Sequence, residues 1–179
     1  MRITAGTLRG RKVPVPDMPG VRPTPSKARQ ALFNILGHVD GYHVLDLFSG
    51  SGLMALESLS RGAASVISVE KNRRITQRLS GVCRAWELEE CWQIFCGDVS
   101  NDLGQLGRKQ FDLVFADPPY DCGVSARLPQ WLAQAGISCT ELVIEESAQA
   151  RPEWPAGWTQ QQVRRYGGTC FYFLNAEDA

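Results

Sequence analysis

The sequence predicts an α/β fold: a mixed, mostly parallel seven-stranded sheet with helices on both faces and an antiparallel hairpin at its C-terminal end. Three observations carry this. Five apolar, β-branched runs between Tyr42 and Glu145 are interleaved with helical stretches, the pattern of parallel β-α-β units. The tail breaks that alternation, with two β-like runs at 159–166 and 169–174 around Gly167-Gly168. Finally, 179 residues with 44% hydrophobic and 21% charged content suit one domain that can bury a substantial core.

The elements follow in order. Residues 1–25 are rich in Gly, Pro and Arg, and Arg9-Gly10-Arg11-Lys12 before Val13 and Val15 predicts a short strand or hairpin. Ser26 is a helix N-cap, Ala28, Leu32, Ile35 and Leu36 form an apolar helical face, and Gly37 ends it. Tyr42–Phe48 is the first central strand, followed by a glycine turn and a helix over 51–60 that offers Met54, Leu56 and Leu59 to the core. Residues 64–70 form a strand, 72–85 a helix bearing Arg73, Arg74, Arg78 and Arg84, and 92–96 and 111–116 the next two strands. A helix over 125–135 and a strand over 141–145 complete the alternation. The boundary near residue 25 divides a basic N-terminal arm, 1–25, from a main domain, 26–179.

Charge and composition narrow the function classes. Net charge is zero, yet residues 1–40 hold seven Lys/Arg against Asp17 and Asp40, leaving the remainder acidic. A basic arm on an acidic body points to a polyanionic partner. No apolar run reaches the roughly 18 residues of a membrane span, and the N-terminus has no apolar signal region, so a soluble cytoplasmic protein is expected. The six cysteines form no C-x-x-C pair and are expected to be reduced thiols. With only His38 and His43 as further ligands, no metal site is expected.

The chemistry lies at the strand ends. Asp117-Pro118-Pro119-Tyr120 follows the strand over 111–116, and its prolines lack N–H groups, so the turn is rich in acceptors and poor in donors. A carboxylate, carbonyls and an aromatic ring suit a planar group bearing an NH2. Upstream, Gly50-x-Gly52-x-x-Ala55 joins the first strand to a helix, and Glu70 lies twenty residues beyond Gly50, at the end of the second strand. Such an acid meets ribose hydroxyls, and the glycines admit close backbone approach to a ligand. Asp46, just before the loop, would repel a pyrophosphate and suit an ammonium group. Asp98, after the third strand, is placed to meet an adenine amino group or to cap a turn. Acids at three strand ends therefore favour S-adenosylmethionine over NAD.

In order and on the expected elements, Asp46–Gly52, Glu70, Asp98 and Asp117–Tyr120 resemble the Rossmann-like class I S-adenosylmethionine-dependent methyltransferases that modify exocyclic amines. The resemblance narrows to the RsmD family through Arg2-Ile3-x-Ala5-Gly6-x-x-Arg9-Gly10-Arg11-Lys12, Arg22-Pro23-Thr24, Arg29, Phe33–Leu36, Leu59–Ala63 and Tyr166-Gly167. It covers nearly the whole chain. The family usually has Arg-Glu where Arg29-Gln30 stand here, and small residues where Leu53-Met54 stand.

That resemblance implies methyl transfer to guanine N2 in small-subunit (16S) ribosomal RNA, on naked RNA or an assembling subunit, by a monomer. The expected catalytic residues are Asp117, Pro118 and Tyr120. Asp46, Phe48, Gly50, Gly52, Glu70, Lys71, Asp98, Val99 and Asp117 are expected at the cofactor. Arg9, Arg11, Lys12, Arg22, Thr24, Arg29, Pro119 and Tyr120 are expected at the RNA. The runner-up is a DNA adenine-N6 methyltransferase, which typically carries a target-recognition insertion absent here. A protein-glutamine methyltransferase usually has Asn where Asp117 stands. An NAD-binding oxidoreductase or a non-catalytic nucleotide-binding module is the alternative of another class.

Overall fold

The computed structural model describes residues 1–14, 26–120 and 122–177. Its seven strands are β1 (His43–Leu47), β2 (Ser65–Glu70), β3 (Trp92–Cys96), β4 (Lys109–Ala116), β5 (Ile137–Ser147), β6 (Trp158–Tyr166) and β7 (Thr169–Ala176). They form one sheet in the order β3-β2-β1-β4-β5-β7-β6, parallel through β5, with β7 antiparallel to both β5 and β6. The order reverses direction at β1 and β4. Chains leaving these neighbouring strands therefore diverge and leave a crevice beyond their C-terminal ends.

Alternation along the central strands feeds two cores. Val44, Val66, Leu113, Phe115, Phe171 and Phe173 face one side of the sheet, where α1 (Ser26–Leu36), α2 (Leu53–Ser60) and α3 (Arg73–Ala85) pack. Leu45, Leu47, Ile67, Val69, Val114 and Leu174 face the other, under α4 (Val99–Asp102) and α5 (Leu128–Gln134). Two-sided burial explains why the central strands read as nearly continuous apolar runs.

Three local differences from the sequence reading have simple causes. The helix after β1 starts at Leu53, because Gly50 and Gly52 both hold positive φ and prolong the loop. Residues 125–127 form a 3₁₀ turn, and α5 begins only at Leu128, with proline in its first turn. Between β3 and β4 the chain makes α4 and a 3₁₀ turn over Leu103–Leu106, each four residues long. Elements so short show no period, although Leu103 and Leu106 do fill the core.

Residues 1–14 are not a detached arm. Arg2 and Lys12 pair in an antiparallel bridge, and Ile3 and Val13 are buried in the main core. The amide of Thr4 donates to Glu57, and the amides of Thr7 and Leu8 donate to Ser60 O and Oγ. This docking explains why every residue of α2 is buried. Residues 15–25, with the expected contacts Arg22 and Thr24, lie outside the described residues. Among the described residues, no helix is long and apolar enough to cross a membrane, and all six cysteines are free thiols.

Candidate active site

At the β1/β4 switch point a cleft of about 530 Å³ opens beyond the strand ends. Its walls come from the first loop (Phe48–Ser51), the end of β2 (Val69–Asn72), Gly97 and Val99 after β3, and Asp117–Tyr120 after β4. Asp46, Gly50, Glu70, Lys71, Val99 and the whole acceptor-rich tetrapeptide therefore share one cavity. Phe48 also lines it, in the left-handed backbone region at φ 59°, the conformation that turns the chain sharply out of β1.

Asp46 is 1% exposed, and burial is the main reason its carboxyl is pushed up to about 7. Hydrogen bonds from Ser49, Ser68 and the Ala55 amide oppose that shift, while the charge of Glu70 adds to it. Ser68 itself takes the indole N–H of Trp92 at 2.9 Å and donates to Asp46 Oδ2 at 3.3 Å. Among the described residues no cation pairs with this buried carboxyl, which fits an incoming ammonium group whose charge would favour the ionised form. Glu70 accepts the Gly50 amide at 3.0 Å on one oxygen and the Asn72 amide at 2.7 Å on the other. Each oxygen keeps a lone pair for a further donor, as a ribose diol requires.

The β4 end is also acidic. Asp117 has its carboxyl raised well above the usual range, first by burial and then by the charges of Glu145, Asp46 and Glu146. Tyr120 donates to Glu145 Oε1 at 2.9 Å, and its phenol is raised by burial and by Glu145. Glu145 and Glu146 are buried at the end of β5, and Ser125 donates to Glu146 at 2.6 Å. The sequence reading missed both glutamates as site residues. Two adjacent acids ending an apolar strand were the available signal.

The structure gives three of the expected contacts roles of their own. Asp98 caps α4, its Oδ1 accepting from the Ser100 amide at 2.8 Å and Oγ at 2.5 Å. Gly52 is a packing position, since a Cβ there would lie 2.8 Å from Leu79 and 3.1 Å from Trp92. Arg29 is fully buried rather than available to RNA, pairing with Glu57 at 3.2 Å and donating to the Arg2 carbonyl at 2.8 Å. Arg9, Arg11 and Lys12 are exposed.

A family model described as Conserved hypothetical protein 95 matches residues 1–175. The chain is 33% identical to ribosomal RNA small subunit methyltransferase D of Escherichia coli, over 99% of this chain and 90% of that protein. The solved structure of yhhF from Escherichia coli matches with a TM-score of 0.83 at 29% identity, covering 100% of this chain and 99% of that one. An RNA methyltransferase from Salinibacter ruber, solved with S-adenosyl-L-homocysteine, shares the fold at a TM-score of 0.66 and 17% identity, over 88% of this chain and 95% of that one.

Proposed function

This chain belongs to the RsmD-like Conserved hypothetical protein 95 family, and from that premise we propose that it methylates guanine N2 in small-subunit ribosomal RNA, using S-adenosylmethionine. One observation carries the reading: the acceptor-rich Asp117–Tyr120 turn opens into the same cleft as buried Asp46 and Glu70. S-adenosylmethionine supplies an electrophilic methyl group on a sulfonium centre. Asp46 would take its ammonium group and Glu70 its ribose hydroxyls, with Phe48, Gly97 and Val99 against the remainder. Lys71 lies at the mouth of the same cleft.

The acceptor of the methyl group is an amine whose lone pair is delocalised into the base. Asp117 and the Pro118 carbonyl accept its two N–H bonds and favour a tetrahedral nitrogen, while Tyr120 and Pro119 hold the ring. Asp117 would take the proton that the amine gives up once it is methylated. The raised affinity of Asp117 for a proton suits it to that acceptance. Positioning and electrostatics supply most of the gain.

To reach this pocket the guanine must be unpaired or flipped. Arg9, Arg11 and Lys12 carry RNA binding, together with Arg22 and Thr24, whether the substrate is naked RNA or an assembling small subunit. The deciding experiment is Asp117→Ala with small-subunit RNA and subunit particles. Methyl transfer should be lost while calorimetric binding of S-adenosylmethionine persists, and in the wild type the methyl group should map to a guanine N2. Retained turnover in the variant, or a methyl group on adenine N6, overturns the reading.

A further inference from the structure

We propose that the exposed face of α3 is the track along which the RNA backbone runs between the N-terminal hairpin and the cleft. Its phosphates are taken by Arg73, Arg74, Arg78 and Arg84. The proposal rests on the reading of the protein as an RNA methyltransferase and gives that RNA a path.

The geometry creates the need for such a track. The cleft meets α3 at its beginning, through Lys71, Asn72 and Ile75. The hairpin sits at the other end. It reaches α2 at Glu57 and Ser60, in the second half of that helix, and Arg11 lies 4.9 Å over the ring of Trp86, the C-cap of α3. The hairpin cations and the cleft are thus separated by the length of α3, which has thirteen residues and spans about 20 Å. An RNA strand touching both ends must pass several of its phosphates along that length.

The chemistry of the helix matches. Ile75, Thr76, Leu79, Val82 and Cys83 form the buried face. Arg73, Arg74, Gln77, Arg78 and Arg84 are exposed, and the helix contains no Asp or Glu. Two of its arginines occupy the first turn, where the helix dipole disfavours cations. A helix shaped for stability alone would carry acids there. These two instead extend the positive charge of Lys71 at the cleft mouth. Exposed Glu87, Glu89 and Glu90 follow the helix directly, in the turn before β3. A polyanion is the occupant this charge pattern fits, and the hairpin continues it.

The test is Arg73→Glu combined with Arg74→Glu in the full chain, with small-subunit ribosomal RNA as the probe. Acids in a first turn favour the helix, so the variant should fold with an unchanged or higher thermal midpoint. Its affinity for S-adenosylmethionine should also be unchanged. RNA affinity should fall on the order of tenfold, with the slope of log K against log salt shallower by roughly 1.4–1.8, the share of two phosphate contacts. Neutralising Arg9, Arg11 and Lys12 with Gln serves as the parallel arm. If that arm loses affinity while the α3 variant binds as wild type with an unchanged salt slope, the track is overturned and the RNA reading stands. If the wild type itself binds no ribosomal RNA, both fall.

Discussion

The Tyr120 hydroxyl donates to Glu145 Oε1 at 2.9 Å and lies 3.2 Å from Thr169 Oγ1. This fastens the loop after β4 to β5 and to the first residue of β7. The antiparallel hairpin, which looks like an appendage to the parallel sheet, thereby helps fix the ring proposed to hold the base. Glu145 acts twice, since its charge also raises the carboxyl of Asp117.

Tyr120→Phe keeps the ring and removes the tether. Methyl transfer should slow by about tenfold, the scale of losing one hydrogen bond that orients a reacting group, while S-adenosylmethionine affinity stays unchanged. Steady-state kinetics beside calorimetry separates the two. Glu145→Gln keeps an acceptor for the phenol but removes a charge that raises Asp117. Asp117 then ionises at lower pH, so the acid limb of the pH–rate profile should move to lower pH.

The carboxyl of Asp46 is pushed up to about 7 by burial, so its charged form is disfavoured in the folded protein. Without cofactor, the group lowers stability as pH rises from the ordinary carboxylate range near 3.8 through about 7. A cationic ligand reverses the preference. S-adenosylmethionine affinity should therefore rise with pH up to about 7 and then level, and Asp46→Asn should remove that contribution. Calorimetry across pH, in buffers of different ionisation enthalpy, checks both.

Glu57 is fully buried between Arg29, at 3.2 Å, and Arg61, at 3.0 Å, and it accepts both the amide and the hydroxyl of Thr4. Burial pushes its carboxyl up, but the Thr4 and Arg61 hydrogen bonds and the Arg29 charge together bring it below its usual value. Removing one partner of such a pair costs about 3–5 kcal/mol. Arg29→Met should lower the denaturation midpoint accordingly. It should leave the salt slope of RNA binding unchanged, since Arg29 is buried. Because the Glu57 carboxyl is depressed, its contribution is complete above about 4.5 and lost as pH falls through the folded value. The hairpin should loosen in acid, and amide exchange over residues 1–14 reads this.

Gly52→Ala places a Cβ 2.8 Å from Leu79 Cδ2, at a residue with φ +70°. Backbone strain and crowding together should cost about 1–3 kcal/mol. The effect should appear as a lower thermal midpoint.

Much of the fold was legible because its signals are local. The apolar runs that became β1, β2, β4 and β5 are buried on both faces, and the turn at Gly167-Gly168 lies between two antiparallel strands. Gly50 and Glu70 were legible as a pair because the loop after β1 and the end of β2 are brought together by any parallel β-α-β unit, and the structure joins them directly at 3.0 Å. Asp98 was ambiguous for the opposite reason. A carboxylate two residues past a strand, at a helix N-cap, can meet a ligand or its own helix, and the contact made here, to the Ser100 amide, depends on side-chain rotation.

The sequence by itself determined the order of the elements, the class of the sheet and the identity of the groups at its C-terminal edge. Backbone periodicity, proline and glycine act within a few residues, so those features need no distant partner. Tertiary structure alone decided which of those groups face the cleft, which serve packing, and where the positive charge collects. It buried Arg29 against Glu57, docked the basic hairpin at the far end of α3, and put Glu145 behind Tyr120. Each of these depends on residues far apart in the chain meeting across a shared core, where desolvation makes an unpaired charge costly and thereby selects its partner.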